Sequence, residues 1–171
     1  MAVLAGIVYS IILVVAAIGD LRTRRIPNRL VLLLAMLGVL YSLIRAPVLM
    51  GLAQAGGGIG AGLLCWLPFY MLGWLGAGDV KLFAAAGAWL GPGRAVEGAI
   101  VAALFGAVLS LIWMVRTQGV KNAVETLGLA AGSPGVLSSA GGASRHATLP
   151  YGVAIAIGAI WAGWMPRLLQ V

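Results

Sequence analysis

Apolar runs about as long as one membrane crossing alternate with short polar or glycine-rich stretches along the 171-residue chain. A helix needs about 20 apolar residues to cross a bilayer. The pattern predicts six helices, at residues 2–19, 30–44, 58–75, 82–90, 96–115 and 152–169. The expected fold class is therefore an all-α integral membrane protein, in which residues 1–171 form one six-helix transmembrane bundle with short or broken spans.

Two of the predicted connections are long. Residues 46–62 are uncharged and rich in glycine, and we expect a loose or re-entrant segment that leads into the third helix at about Gly58. Residues 116–149 form the longest polar stretch, which could contain a surface helix at residues 121–129. Because glycine, serine and alanine dominate the second half of this stretch, we expect residues 116–149 to form a flexible cytoplasmic loop.

Composition excludes an ordinary soluble domain. Apolar residues make up 62% of the chain and charged residues 9%, whereas soluble domains carry about 25% charged residues. The net charge of +7 could suggest nucleic acid, but the basic residues form no patch interleaved with aromatic residues. The expected partner surface is the lipid bilayer, and nucleic acid is not an expected partner.

The basic residues are distributed unequally between the two sides of the predicted bundle. With the N-terminus outside, eight of them fall in cytoplasmic segments and three fall outside. The eight are Arg22, Arg24, Arg25, Arg29, Lys81, Arg116, Lys121 and Arg145, and the three are Arg45, Arg94 and Arg167. Cytoplasmic loops of membrane proteins are enriched in lysine and arginine, so this orientation is the expected one.

Asp20 and Asp79 are the only aspartates of the chain, and both are predicted at cytoplasmic ends of helices, after the first and third spans. An acid near the membrane interior is a functional hypothesis by default, although each could instead cap a helix and pair with Arg22 or Lys81. Two neighbouring carboxylates cannot easily both ionise, so one of them stays protonated. Such a pair can act as base and acid on a peptide bond, which is the chemistry of aspartic proteases.

The residues around Asp79 are typical of an active-site turn. Gly76 and Gly78 allow unusual backbone angles and close approach of another chain, and Lys81 could shape the local field or simply anchor the helix end. We expect no metal site, because His146 lies in the predicted loop and two aspartates alone bind transition metals poorly. The single cysteine, Cys65, allows no intramolecular disulfide and is expected to be an inert buried thiol.

Three segments resemble a known family. The segment "GAGDVKL", which includes Asp79, resembles the Gly-x-Gly-Asp motif of membrane aspartic proteases in the version found in prepilin peptidases. The segment "DLRTRRIPN", which begins at Asp20, resembles the other aspartate region of that family, and "LPYGVAIAIG" resembles the Pro-(Phe/Tyr)-Gly segment of its last helix. The resemblance implies that Asp20 and Asp79 are the catalytic residues. It implies supporting roles for Gly76, Gly78, Ile26, Pro27, Asn28, Lys81, Pro150, Tyr151 and Gly152.

The resemblance also implies an activity, without a cofactor. The family removes a short basic leader from type IV pilin-like precursors at the cytoplasmic face of the bacterial inner membrane. Larger members also methylate the product and carry a cysteine-rich insertion. This chain resembles the short, peptidase-only members associated with tight-adherence pili, so we do not expect methyl transfer. An archaeal preflagellin peptidase would share the chemistry and differ in substrate.

Two other classes of protein stay open at this stage. A proton-coupled transporter also uses broken helices and membrane acids, but Glu97 is the only acid in the predicted outer half of the chain. A non-catalytic scaffold of a secretion or pilus machine would tolerate the loss of either aspartate. The pilin that is cut and the oligomeric state do not follow from the sequence.

Overall fold

The computed structural model describes residues 3–132 and 151–165, and within them every regular element is a helix. The six helices are α1 (Val3–Thr23), α2 (Asn28–Arg45), α3 (Val48–Met71), α4 (Ala77–Leu90), α5 (Pro92–Gly132) and α6 (Tyr151–Trp164). The predicted all-α class is confirmed.

In the described part of the chain, four segments are long and apolar enough to cross a membrane: α1, α2, α3 and the first part of α5, Pro92–Trp113. Their outer faces carry large apolar side chains that the protein leaves exposed, such as Leu4, Ile44 and Leu49. Apolar surface of this extent is what lipid covers. The molecule is therefore a membrane protein.

Helix α4 lies in the middle of the bundle, where it packs against α2, α3, α5 and α6. Val80 and all residues from Leu82 to Leu90 are buried. With 14 residues, α4 is about 21 Å long, at about 1.5 Å per residue. Because neighbouring helices surround it, its length need not match the lipid, which explains the short fourth apolar segment of the sequence.

Glycines allow the helices around α4 to approach closely. A Cβ on Gly58 of α3 would overlap the carbonyl of Gly87 in α4, and a Cβ on Gly87 would overlap the carbonyl of Gly58. A Cβ on Gly38 of α2 would lie 2.6 Å from the Trp89 ring. Small residues commonly mediate close helix packing in membranes, and this role accounts for much of the glycine content.

Helix α6 runs antiparallel to α1, so the start of α6 meets the end of α1. The Tyr9 hydroxyl donates a hydrogen bond of 3.1 Å to the carbonyl of Ala159. Farther along, the Trp164 Nε1–H donates to the Ser10 hydroxyl at 3.0 Å. This register places the residues near position 20 beside the residues near position 152.

Several predicted boundaries are wrong. The glycine-rich residues 46–62 are not a loose segment, because α3 begins at Val48 and runs through them. Glycine lowers helix propensity by about 1 kcal/mol relative to alanine, but Gly58 and Gly62 are buried against α4. Tertiary packing thus overrides local propensity.

The ends of α1, α4 and α5 also differ from the prediction. Asp20 lies inside α1, not after it, and Asp79 lies in the first turn of α4. Helix α5, which is 41 residues long, does not stop at Val115 but continues to Gly132, through a proline-free stretch that contains good helix formers. The predicted loop therefore starts later than residue 116. The rest of it, residues 133–149, lies outside the described residues. The predicted end of the sixth helix, beyond residue 165, also lies outside them.

Candidate active site

Asp20 lies in the last turn of α1 and is buried, with 8% of its surface exposed. Helix α1 ends three residues later, at Thr23, and Arg24 has the left-handed backbone angle φ of 52°. The N–H of Arg24 donates to the carbonyl of Asp20 at 2.8 Å, as in a left-handed helix cap. A non-glycine residue in this conformation is uncommon, and here it turns the chain sharply just after Asp20.

The backbone of Gly152 holds the Asp20 carboxylate. Its N–H donates a hydrogen bond of 2.9 Å to Oδ2 of Asp20. Gly152 is the second residue of α6, and the positive end of a helix dipole favours a negative charge at that position. A Cβ at residue 152 would lie 2.8 Å from Oδ2 and 3.1 Å from Cγ of Asp20, so only glycine allows this approach.

Asp79 caps the start of α4 through two reciprocal hydrogen bonds with Gly76. The N–H of Gly76 donates to Oδ2 of Asp79 at 3.3 Å, and the N–H of Asp79 donates to the carbonyl of Gly76 at 3.1 Å. The other carboxyl oxygen, Oδ1, is buried and has no hydrogen-bond partner among the described residues. A buried polar atom without a partner is rare in proteins and calls for an explanation.

Asp79 precedes the buried part of α4 and lies outside the four candidate spans. Burial raises the pKa of Asp79 to about 7, and the negative charge of Asp20 contributes to the rise, whereas the hydrogen bond from Gly76 opposes it. The Asp79 carboxyl is therefore partly protonated at neutral pH. The two carboxyls are close enough for one charge to influence the other, as the sequence predicts.

The connection between α1 and α2 packs against the glycine turn. The Ile26 Cβ would lie 3.5 Å from a Cβ on Gly78. The next residue, Pro27, is the N-cap of α2, and its carbonyl accepts hydrogen bonds from the N–H groups of Leu30 and Val31 at 3.0 and 3.3 Å. The Ile-Pro-Asn segment thus turns the chain and packs one side chain against the turn that carries Asp79.

The expectation of unusual backbone angles at Gly76 and Gly78 is wrong. Gly76 has φ −78° and ψ 149°, which is ordinary extended backbone, and Gly78 lies inside α4. The described glycines with positive φ are Gly73 and Gly91. The glycines of the turn instead allow close approach, with Asp79 at Gly76 and with Ile26 at Gly78.

The remaining predicted site residues are not all in one place. Lys81 is exposed and lines a cavity of about 410 Å³ between α2, α3 and α4, together with Asn28. Tyr151 precedes Gly152 and forms a hydrogen bond of 2.7 Å with the Ser110 hydroxyl of α5. Pro150 lies outside the described residues.

Sequence reasoning missed Gly106 and Ser110, which position Tyr151. A Cβ on Gly106 would lie 2.8 Å from the Tyr151 ring. The Ser110 hydroxyl donates to the carbonyl of Gly106 at 2.7 Å. The two residues are four apart on α5, and this spacing of small residues is the signal of a close helix contact that could have found them.

The arrangement suits acid–base chemistry on a peptide bond. The carboxylate of Asp20 is oriented by a backbone donor, while Asp79 presents a buried oxygen that lacks a partner among the described residues. An ionised and a protonated carboxyl side by side can activate water and protonate a carbonyl oxygen. In the part of the chain that the structure describes, no group of three or more histidine, cysteine, aspartate or glutamate side chains could hold a metal ion.

Comparisons with known proteins place the chain in a family. The model of the type IV leader peptidase family matches residues 7–114, which include Asp20 and Asp79. The prepilin leader peptidase/N-methyltransferase of Pectobacterium carotovorum subsp. carotovorum is 37% identical over 118 residues, which cover 66% of this chain and 42% of that protein.

The protein of the same name from Xanthomonas campestris pv. campestris is 35% identical over 116 residues, which cover 64% of this chain and 40% of that protein. The chain thus spans about two fifths of the length of these curated relatives. No solved structure matches it. Because the family model covers well over half of the chain and both aspartates, this protein belongs to the type IV leader peptidase family.

Proposed function

We propose that this protein is a membrane aspartic endopeptidase that removes the basic leader from type IV pilin-like precursors. The observation that carries the proposal is the buried Oδ1 of Asp79, which has no partner among the described residues. It belongs to a carboxyl whose pKa is raised to about 7 by burial and by the charge of Asp20. A protonated carboxyl with a free oxygen can donate to a substrate carbonyl. Membership of the type IV leader peptidase family supports the substrate class.

The two carboxyls have different roles in the mechanism. Asp20, oriented by the Gly152 N–H, acts as the base that takes a proton from water while the water oxygen bonds to the scissile carbonyl carbon. Asp79 gives its proton to the carbonyl oxygen. As the tetrahedral intermediate collapses and the C–N bond breaks, Asp79 takes back a proton from a hydroxyl of the intermediate, and Asp20 gives its proton to the leaving amine. The pair thereby returns to its starting state.

Charge supports the location of this site. The eight basic residues on one predicted side, against three on the other, favour the cytoplasmic face of the inner membrane for the ends of α1 and α3, with the N-terminus outside. A precursor with a basic leader and an apolar helix would then expose its junction at the depth of Asp20 and Asp79. We assign peptidase activity and no methyl transfer to these 171 residues, which include a single cysteine.

Coexpression with a pilin precursor tests the proposal. Wild-type protein should shorten the precursor on a gel, and mass spectrometry of the product should show a new N-terminus at the leader junction. Variants Asp20→Asn and Asp79→Asn, present in the membrane at wild-type amounts, should leave the precursor intact. Leader removal by either variant would contradict the acid–base mechanism and favour a scaffold role instead.

A further inference from the structure

A cavity of about 260 Å³ lies between the end of α1, the middle of α5 and the start of α6. Its wall is largely apolar. Residues that line it include Leu21, Leu109, Ser110, Trp113, Arg116 and Tyr151.

The cavity begins next to the candidate catalytic residues. Its wall residue Leu21 directly follows Asp20, and its wall residue Tyr151 directly precedes Gly152, which holds the Asp20 carboxylate. Neighbouring Cα atoms are about 3.8 Å apart. A peptide whose scissile bond lies at Asp20 therefore has an adjacent side chain within reach of this cavity.

The wall favours an apolar occupant. The Ser110 hydroxyl donates its hydrogen to the Gly106 carbonyl, and because a hydroxyl has only one hydrogen, Tyr151 must donate the bond between Tyr151 and Ser110. The hydrogens of both hydroxyls are thus used within the wall. A cavity of about 150 Å³ can hold benzene, so this cavity has room for one large aliphatic or aromatic side chain.

Charge decides which side of the scissile bond the occupant comes from. Arg116 is the only charged residue among the described residues that line the cavity. A cation at this position repels the lysines and arginines of a basic leader, whereas an apolar side chain avoids this repulsion. The apolar segment that follows the leader is therefore the matching chemistry.

We infer that this cavity is the specificity pocket for the first large apolar side chain after the scissile bond of the precursor. The inference rests on the proposed peptidase function. Leu109, Trp113 and Tyr151 form the pocket, and the Tyr151–Ser110 hydrogen bond holds its wall next to Gly152. Filling the pocket should change which precursors are cut before it changes the acid–base chemistry.

A pair of precursors that differ in one residue tests the pocket through cleavage. One carries phenylalanine and the other alanine at the first position after the bond, and wild-type protein should cut the first faster. Leu109→Trp fills the pocket and should lower the phenylalanine-to-alanine ratio of rates about 10-fold or more, a range that single apolar pocket contacts reach. Val108→Trp is the matched control, because Val108 adjoins Leu109, does not line the cavity and is exposed; it should leave the ratio unchanged within about twofold.

Photo-crosslinking tests the occupant without relying on cleavage. A precursor that carries benzoylphenylalanine at the first position after the scissile bond is bound to the Asp79→Asn variant. The complex is irradiated, and mass spectrometry then maps the adduct. Adducts at residues 109–116 or 151–154 support the pocket. Ile59 and Leu63 line the cavity of about 410 Å³ that contains Lys81, and adducts at either of them would overturn the inference. Adducts to lipid alone, or equal labelling of the pocket from a probe placed in the leader, would also overturn it.

The two arms separate the two proposals. If wild-type protein cuts neither precursor, the peptidase proposal fails, and the adduct position still decides whether the cavity receives this side chain. If wild-type protein cuts both precursors but Leu109→Trp and Val108→Trp keep the same ratio, the pocket inference fails while the peptidase proposal stands.

Discussion

The backbone N–H of Gly152 donates to Oδ2 of Asp20 at 2.9 Å, although the two residues are 132 positions apart in the chain. This bond joins the start of α6 to the end of α1. The site therefore depends on the antiparallel packing of α1 and α6 as well as on the α4 turn that carries Asp79. Changes in that packing should affect activity even where neither aspartate is altered.

The first prediction concerns Gly152→Ala. The added Cβ would lie 2.8 Å from Oδ2 and 3.1 Å from Cγ of Asp20, so the carboxylate or the start of α6 must shift. A misplacement of about 1 Å can reduce catalysis about 10²-fold, and we expect a loss of cleavage of that order. A gel-shift assay with a pilin precursor measures it.

Gly60→Ala is the matched control for this substitution. Gly60 lies in α3, and nothing lies within 4 Å of a Cβ added there. A glycine-to-alanine change inside a helix can stabilise it by about 0.5–1 kcal/mol, so cleavage should stay at the wild-type rate. Equal losses in both variants would show that the contact with Asp20 is not the cause.

The second prediction concerns the two aspartates. Asp20→Asn and Asp79→Asn keep the shape of the side chain but remove the proposed base or the proposed acid, and general acid–base catalysis contributes about 10²–10⁴-fold. We expect each variant to lose at least that factor. Asp→Glu at either position should also be poor, because the extra methylene displaces the carboxyl. Immunoblots of membranes check that each variant is present.

The third prediction is a pH dependence. In the proposed mechanism, cleavage requires the protonated form of Asp79, and burial and the charge of Asp20 raise the pKa of Asp79 to about 7. The rate of purified protein in micelles should therefore fall as pH rises through about 7, approaching tenfold per pH unit well above it, as expected for the loss of one proton. A rate that stays level from pH 6 to about 9 would contradict the acid role.

The same pKa predicts how stability depends on pH. Because the raised pKa belongs to the folded protein, the folded state binds more protons than the unfolded state between the ordinary value of 3.8 and about 7. The stabilising contribution of Asp79 is therefore present at low pH and declines as pH rises through this window. In Asp20→Asn, the charge that helps to raise the pKa of Asp79 is gone. The infrared band of the protonated Asp79 carboxyl should therefore disappear at lower pH than in the wild-type protein.

The fourth prediction concerns topology. Helix α5 has 41 residues and is about 62 Å long, about twice the hydrocarbon thickness of a bilayer. Its second half should therefore emerge on the cytoplasmic side, and Gln118→Cys should react only with reagents that reach the cytoplasm, once Cys65 is replaced. Gly93→Cys, at the opposite end of α5, should react from the periplasm. The reverse labelling pattern would exclude the N-out orientation.

The sequence predicts the family of this protein better than its helix boundaries. Two aspartates in an apolar chain, each next to a recognisable segment, are a strong signal, and the structure lets the charge of Asp20 influence Asp79. The prediction for the glycine-rich start of α3 is wrong, because glycine disfavours an isolated helix but allows Gly58 to pack against Gly87. Such a contact depends on a partner helix distant in sequence, and no local pattern reveals it.

The contacts that position the site residues depend on packing in the same way. Tyr151 belongs to a segment that the sequence identifies, but its partner Ser110 lies 41 residues earlier on α5. The spacing of Gly106 and Ser110 indicates a close helix contact without indicating which helix. The cavity beside Asp20 is formed by three helices, so it becomes visible only when they are assembled.

The fifth prediction concerns the contact between Gly78 and Ile26. A Cβ on Gly78 would lie 3.5 Å from the Ile26 Cβ, which is ordinary contact, so Gly78→Ala should retain most of the cleavage. Gly78→Val adds two further methyl groups against Ile26 and should reduce cleavage strongly. Ala77→Val is the control, because Ala77 is exposed, and it should be close to wild type.

A second substitution separates steric conflict from other effects of valine. If the added methyl groups of Gly78→Val collide with the Ile26 side chain, Ile26→Ala should restore part of the lost cleavage, although Ile26→Ala alone loses a packing contact. Comparing the two single variants with the double variant forms a double-mutant cycle, in which contacting residues commonly show interaction energies of about 0.5–3 kcal/mol. If the double variant loses as much activation free energy as the two single variants together, Ile26 and Gly78 act independently. The Ile-Pro-Asn segment would then not position the turn that carries Asp79.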